Sequence, residues 1–238
     1  MHYLATLAGP EHDGPEPGSP EFDAEVARYA EFEQHAGAAI AGGAALYPAD
    51  AAVTVRHADG AALVTDGPFT EQAEVVGGFY VLDCADLDEA IQLARRIPVA
   101  ETDSIELRPV VTYFPHENPG ADWWMALLWD RPDAVIVPDT PEWDAAVGEH
   151  KRFGNEYGAV LRGGAAVQPP TTATTLRVRD GELLLTDGPF PEYTEVVDGF
   201  YLFTAPDRAA ATEIATRIPC GAKGHVEVRQ IVDLGAWE

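Results

Sequence analysis

Thr65-Asp66-Gly67-Pro68-Phe69-Thr70-Glu71-Gln72-Ala73-Glu74-Val75-Val76-Gly77-Gly78-Phe79-Tyr80 returns 121 residues later as Thr186-Asp187-Gly188-Pro189-Phe190-Pro191-Glu192-Tyr193-Thr194-Glu195-Val196-Val197-Asp198-Gly199-Phe200-Tyr201, with twelve of sixteen positions identical. Unrelated segments of ordinary composition would share about one. The same offset carries Gly42-Gly43-Ala44 onto Gly163-Gly164-Ala165 and Arg96-Ile97-Pro98 onto Arg217-Ile218-Pro219, with no gap from Ser19 to Val110. A repeat this long is a duplicated domain and not a solenoid unit. It divides the chain into a first copy at 1–113, a linker at 114–121 and a second copy at 122–238. The linker is rich in Pro, Gly and polar residues, as domain boundaries are.

Within each copy the pattern is readable. Tyr3–Leu7 and Trp124–Leu128 are apolar runs of strand length. Ser19-Pro20-Glu21 and Thr140-Pro141-Glu142 each place an N-cap hydroxyl, a proline with no N–H to waste and a first-turn acid in succession. Phe22, Val26, Tyr29, Phe32 and Ala36 then recur at helical spacing, and Gly37 and Gly158 are expected to close the two helices as left-handed caps. Asp59-Gly60 and Asp180-Gly181 sit between β-prone runs and predict tight hairpins. Strands at 78–83 and 199–204, a helix at 86–96 stopped by Pro98, and closing strands at 105–112 and 226–232 complete the unit. Strand, helix, hairpin strands, strand, helix, strand is a ferredoxin-like α+β order. A sheet with helices on one face leaves the other face bare. Packing against the other copy would cover it, making the chain an internal pseudo-dimer.

The Asp66-Gly67-Pro68-Phe69 loop, the Gly78-Phe79-Tyr80 strand, the Asp86-Leu87-Asp88-Glu89-Ala90 helix, Arg96-Ile97-Pro98 and Glu106-Leu107-Arg108-Pro109 together resemble the YCII-related family, in its DGPF branch. The second copy is similar through Asp187–Phe190, Glu192, Glu195, Gly199–Tyr201 and Glu227-Val228-Arg229. The resemblance implies tandem ferredoxin-like domains forming an intramolecular pseudo-dimeric α/β barrel, a barrel that two chains normally build. It also implies a polar cleft near the DGPF loop. Some relatives are thought to be cofactor-free lyases or isomerases of small ring compounds; others are associated with alternative sigma factors. The chain departs from the pattern where Ala73 and Thr194 replace the usual lysine and where Asp198 replaces the first glycine of Gly-Gly.

Composition narrows the function classes. A net charge of −25 on 238 residues opposes phosphate backbones and anionic membranes, so neither nucleic acid nor membrane is an expected partner. The N-terminus lacks a basic segment before its apolar run, and no apolar stretch approaches the roughly 20 residues that span a bilayer, which predicts a cytoplasmic protein. Cys84 and Cys220 occupy non-matching positions and read as small buried hydrophobes. No P-loop, G-x-G-x-x-G, G-x-S-x-G or metal-ligand spacing occurs, so no cofactor and no metal are expected.

The candidate catalytic residues are Asp66 and Asp187, as general bases or orienting groups, with His150 or His35 as partner. The other reading of both aspartates is a turn carboxylate bonding backbone N–H groups. His35 aligns with Glu156 and His150 with Tyr29, so these histidines allow one asymmetric site and no symmetric pair. Candidate substrate-binding residues are Phe69 and Phe190 as pocket wall, Glu71 and Glu192, each with a second acid three residues on (Glu74 and Glu195) as an acid–base pair or else a solvated acidic loop, Tyr80 and Tyr201, and Arg108 and Arg229 as carboxylate clamps. Pairing of those arginines with local acids is the alternative. Trp123, Trp124, Trp129 and Trp143 all belong to the second copy and the first copy has no tryptophan, through bulkier core packing or one specialised pocket. The function expected is a cofactor-independent small-molecule enzyme of acid–base isomerase or lyase type, its site between the repeats. The competing expectation is a non-catalytic ligand-binding or regulatory module, sigma-factor-associated. A further homodimer of the pseudo-dimeric unit is left open.

Overall fold

The computed structural model describes all residues except 11–14, 16–18, 59, 69–74, 117, 191–193, 222 and 234–238. Asp59, Phe69, Glu71, Glu74 and Glu192 therefore lie outside the described residues. The first half runs β1 (His2–Gly9), α1 (Pro20–Ala36), β2 (Ile40–Ala45), β3 (Val53–Ala58), β4 (Ala61–Asp66), β5 (Val75–Asp83), α2 (Leu87–Ala94), β6 (Ser104–Phe114). The second repeats it: β7 (Trp123–Asp130), α3 (Pro141–Tyr157), β8 (Leu161–Val167), β9 (Thr174–Arg179), β10 (Glu182–Asp187), β11 (Val196–Thr204), α4 (Arg208–Ala215), β12 (His225–Gln230).

Each half builds a ferredoxin-like antiparallel sheet, in order β2-β5-β1-β6 and β8-β11-β7-β12. The long helices start as their sequences dictate. Ser19 Oγ accepts from Phe22 N at 3.1 Å, and Thr140 Oγ1 accepts from Trp143 N at 3.2 Å. Their ends differ from expectation in one copy. Gly37 has φ 52° and closes α1 by donating to Glu33 O, but Gly158 has φ −55° and stays right-handed. The chain there turns on through Val160 N to Tyr157 O (2.9 Å), and no left-handed residue is needed. Asp180 (φ 52°) and Gly181 (φ 78°) form the positive-φ pair of a tight hairpin turn.

The hairpins cross over. β3–β4 leaves the first sheet and β3 pairs with β12 (Val53↔Val228, Val55↔Val226), while β9 of the second hairpin pairs with β6 (Leu107↔Thr174, Ile105↔Leu176). Val53 and Val55 are buried in the helix-side core of the second half, with Trp124, Phe153, Phe203 and Ile218. Leu176 and Val178 enter the corresponding core of the first half, beside Phe32, Tyr80 and Ile91. β6 also runs on to pair with β8 over Val110–Phe114. The symmetry-related contact between β12 and β2 is a single bridge, Leu46 to Ile231, flanked by Tyr47 N→Gln230 O (3.1 Å) and Val232 N→Ala45 O (2.9 Å).

A third core lies between the two sheets, where Leu4, Val76, Phe79 and Val81 meet Met125, Leu127, Trp129, Phe200 and Leu202. Phe79 and Phe200 occupy the same position of the repeat and touch each other, ring centroids 4.8 Å apart, on the pseudo-twofold axis. Both are 1% exposed, so truncating either to alanine costs about 3–5 kcal/mol. Four α-helices are found among the described residues, and none is long and apolar enough to cross a membrane.

Candidate functional site

Strand alternation sends neighbouring residues of the Phe-Tyr motif to opposite faces. Phe79 and Phe200 point to the other half; Tyr80 and Tyr201 point to their own helices. Tyr80 Oη donates to Glu33 Oε1 at 3.0 Å, and Tyr201 Oη lies 2.9 Å from His150 Nδ1. Burial pushes the Tyr201 hydroxyl up to about 12 and lowers the His150 imidazole, so the pair is neutral. His35, also on the helix side, meets the Arg96 guanidinium.

The DGPF turns have a structural task. Gly67 (φ 83°) and Gly188 (φ 98°) donate to Ala52 O and Ala173 O at 2.9 Å, while Thr54 and Thr175 hydroxyls donate to the glycine carbonyls. Asp66 and Asp187 end the outer hairpin strands and are exposed. Asp66 Oδ1 accepts from Arg208 Nη2 of the other half at 2.8 Å. Among the described residues no hydrogen bond or ion pair joins Asp66 or Asp187 to His35 or His150.

The arginine candidates lie between the halves. Arg108 and Arg229 are each 2% exposed and pair with the acid two residues earlier, Arg108 with Glu106 and Arg229 Nε with Glu227 Oε1 at 2.9 Å. The remaining donors reach across the repeat. Arg108 Nη1 donates to Val197 O (2.6 Å), and Arg229 Nη1 donates to Tyr47 O (3.3 Å) and Nη2 to Val76 O. Glu106 Oε2 accepts from Phe190 N at 3.2 Å, fixing the second DGPF loop and its buried phenyl ring. In each half, then, the closing strand grips the backbone of the other half through a buried ion pair.

One end of the second sheet carries a different set of groups. His225 opens β12, and its Nδ1 lies 3.3 Å from Glu195 Oε2, with both side chains buried. The Trp129 indole stacks on the imidazole, centroids 6.0 Å apart and planes 7° apart. Asp130, also buried, accepts from Arg131 N at 2.8 Å. The loop at 221 wraps it so closely that a Cβ on Gly221 would fall 2.2 Å from Asp130 Oδ2, which is why glycine stands there. Burial raises the Asp130 carboxyl, and the Glu195 charge adds to the rise. Asp198 opens toward partial exposure on β11. Burial pushes its carboxyl up to about 6; Arg108 opposes the rise and Asp130 adds to it. Beside this group, Cys220 Sγ lies 3.3 Å from His57 Nδ1 of the crossed-over hairpin. His57 Nε2 is 3.0 Å from Thr216 O, which can only accept, so Nδ1 is the acceptor for the thiol hydrogen. Burial pushes that thiol up to about 11.

Shifted back by 121, Asp130, Asp198, Cys220 and His225 fall on Gly9, Gly77, Val99 and Ser104, and His57 shifted forward by 121 falls on Val178, so none of the five has a titratable counterpart in the other copy. Of these residues only Asp198 stands out in the motif. A position-by-position search for titratable groups gained by one copy is the signal that finds the rest. Among the described residues no three His, Cys, Asp or Glu side chains are arranged to hold a metal ion.

The match to a protein-family model agrees with the repeat. A family model described as the YCII-related domain matches residues 9–113 and again 123–235. An uncharacterized protein of Rhizobium meliloti (strain 1021) is 49% identical over 78 residues, which are 32% of this chain and 63% of that relative's length. A crystal structure provisionally assigned to a chlorite dismutase aligns over 99% of this chain and 96% of its own, at 11% identity and TM-score 0.45.

Proposed function

The chain belongs to the YCII-related domain family in both halves, and from that premise we propose that it is a cofactor-independent acid–base enzyme acting on a small molecule at the Asp198 end of the second sheet. The supporting observation is the buried group Asp130, Glu195 and His225, with the partly exposed Asp198 beside Asp130 and facing Arg108 of the other half. In this reading the two central sheets close as a pseudo-dimeric α/β barrel within one chain, and the Leu46–Ile231 bridge supports that closure.

The chemistry follows from unequal environments. A carboxyl poised at about 6 is ionised at neutral pH yet takes up a proton readily, as a general base requires. Asp198 is the partly exposed member of the group and is the base that reaches substrate. Burial holds the Asp198 carboxyl up, Arg108 opposes the rise, and the charge of Asp130 adds to it. Glu195 and His225 form a buried pair beside Asp130. Proton abstraction and return on a small carbonyl compound, giving isomerisation or elimination, is the reaction class this set suits.

Deuterium exchange tests the reading without a known substrate. In D2O, a panel of small cyclic ketones and enones is incubated with the protein and followed by proton NMR. Loss of an α-proton signal is expected for at least one member, with a rate that rises through pH 6. Asp198→Asn should reduce it by about 100-fold or more. No exchange across the panel, or exchange unchanged in Asp198→Asn, would refute the proposal.

A further inference from the structure

A cleft of about 230 Å³ opens on the helix side of the first half, lined by Arg28, Glu31, Phe32, His35, Arg96 and Pro98. It lies outside the inter-sheet cluster and has no role in the chemistry proposed there. Its charge is what sets it apart. The protein has 15 Lys and Arg against 40 Asp and Glu. Yet Arg28, His35 and Arg96 converge on this one small space, with Glu31 as the acid among the lining residues. Arg28 Nη2 is held by Glu101 Oε2 at 2.7 Å on the exposed rim. Arg96 has no carboxylate partner among the described residues; its guanidinium donates instead to His35 Nε2.

The second half supplies an internal control. The offset of 121 maps the lining onto Glu149, Arg152, Phe153, Glu156, Arg217 and Pro219. The apolar floor and Arg217 are kept, but Arg28 and His35 become Glu149 and Glu156. Arg152 is drawn to Glu149, 3.6 Å away. The lining side chains thus sum to one net positive charge in the first half, Arg28 and Arg96 against Glu31, and to zero in the second, where Arg152 and Arg217 face Glu149 and Glu156.

We infer that this cleft binds a small oxyanion, a carboxylate or phosphate group, carried on a compact apolar body that rests on Phe32 and Pro98. Guanidinium groups pair with either anion through two parallel N–H donors. The volume is below the roughly 300–1,000 Å³ of pockets for drug-sized ligands, so the ligand is a small metabolite. Net charge opposes any anion at a distance, but salt at physiological strength screens that repulsion beyond about 8 Å. Saturable binding of an anion would therefore report the local cations and not a general attraction.

The intact protein is titrated by calorimetry with sodium benzoate, with inorganic phosphate and with neutral benzamide. Saturable binding of one or both anions, and none of benzamide, is expected; which anion binds more tightly tells carboxylate from phosphate. Arg96→Gln should weaken binding at least tenfold, while Arg217→Gln, its counterpart, leaves it unchanged. Arg28→Gln serves as a second variant should Arg96→Gln alter the circular dichroism spectrum. Absence of saturable binding by both anions, or binding that survives both cleft variants, overturns the assignment. Failure of the deuterium-exchange experiment would leave this result untouched, since the two sites share no residue.

Discussion

At matching ends of the two sheets, the first half presents Gly9, Gly77, Val99 and Ser104, and the second presents Asp130, Asp198, Cys220 and His225. The backbone around them is the same in topology, and each end is gripped by the same Glu-x-Arg pair from the opposite closing strand. The scaffold therefore does not depend on the titratable groups. They were placed on one copy of a frame that the other copy shows to be sufficient without them. Buried acids cost stability unless a cation or hydrogen bond answers them, and the second half gathers its acids where Arg108 already stands.

The comparison can be broken most forcefully at the shared element. Arg108→Ala leaves Glu106 buried without its cation and should destabilise by about 3–5 kcal/mol in urea unfolding. Arg229→Ala should fall in the same range, and a negligible cost there would show that the two grips are not equivalent. Asp198→Asn sharpens the contrast with opposite sign. The folded-state value of about 6 lies above the ordinary 3.8, so the folded protein holds this proton more tightly than the unfolded chain. That contribution is complete below about 3.8 and is lost as pH rises through 6. Removing the ionisable group should thus stabilise the protein at pH 8 by about 1–2 kcal/mol, less than the ~3 that 1.36 kcal/mol per unit would give because the side chain is partly hydrated. Near pH 3.5 the same substitution should have no such effect. The smallest effect is expected for Gly77→Asp, the reverse experiment. A Cβ at Gly77 meets nothing within 4 Å and the position is exposed. The new carboxyl should change stability by no more than about 0.5 kcal/mol and titrate near 3.9 by NMR.

Much of this frame was legible in the chain itself. Hydroxyl caps, prolines at the first helical position and the Asp180-Gly181 turn act locally, and they appear where the sequence places them. β2 and β8 were harder to read. Their Gly-Gly centres have low strand propensity, and the glycines are explained only by a neighbour: a Cβ on Gly164 would fall 2.6 Å from Phe200 O of the adjacent strand. The hairpin exchange was invisible for a similar reason, since pairing between halves leaves no mark on local periodicity. For the site, the buried arginines and Asp198 stood out in the motif. Asp130 and His225 did not, because each ends an apolar strand and becomes part of a cluster only when β7, β11 and β12 lie side by side. Asp66 and Asp187 show the converse: a conspicuous motif position can be an exposed strand end.

The exchanged hairpins also constrain how the polypeptide can mature on the ribosome. When the first half has emerged, Val53 and Val55 have no core to enter, because theirs is built from residues between Trp124 and Val228. Likewise Ile105 and Leu107 wait for β9 to cover the edge of β6. The nascent first half must therefore persist with apolar strands uncovered until nearly the whole chain has been translated. Pairings of such long sequence separation form slowly and are exposed to aggregation meanwhile. The heavy negative charge of the chain is a physical safeguard for that interval, keeping unfinished molecules apart until the last strand arrives.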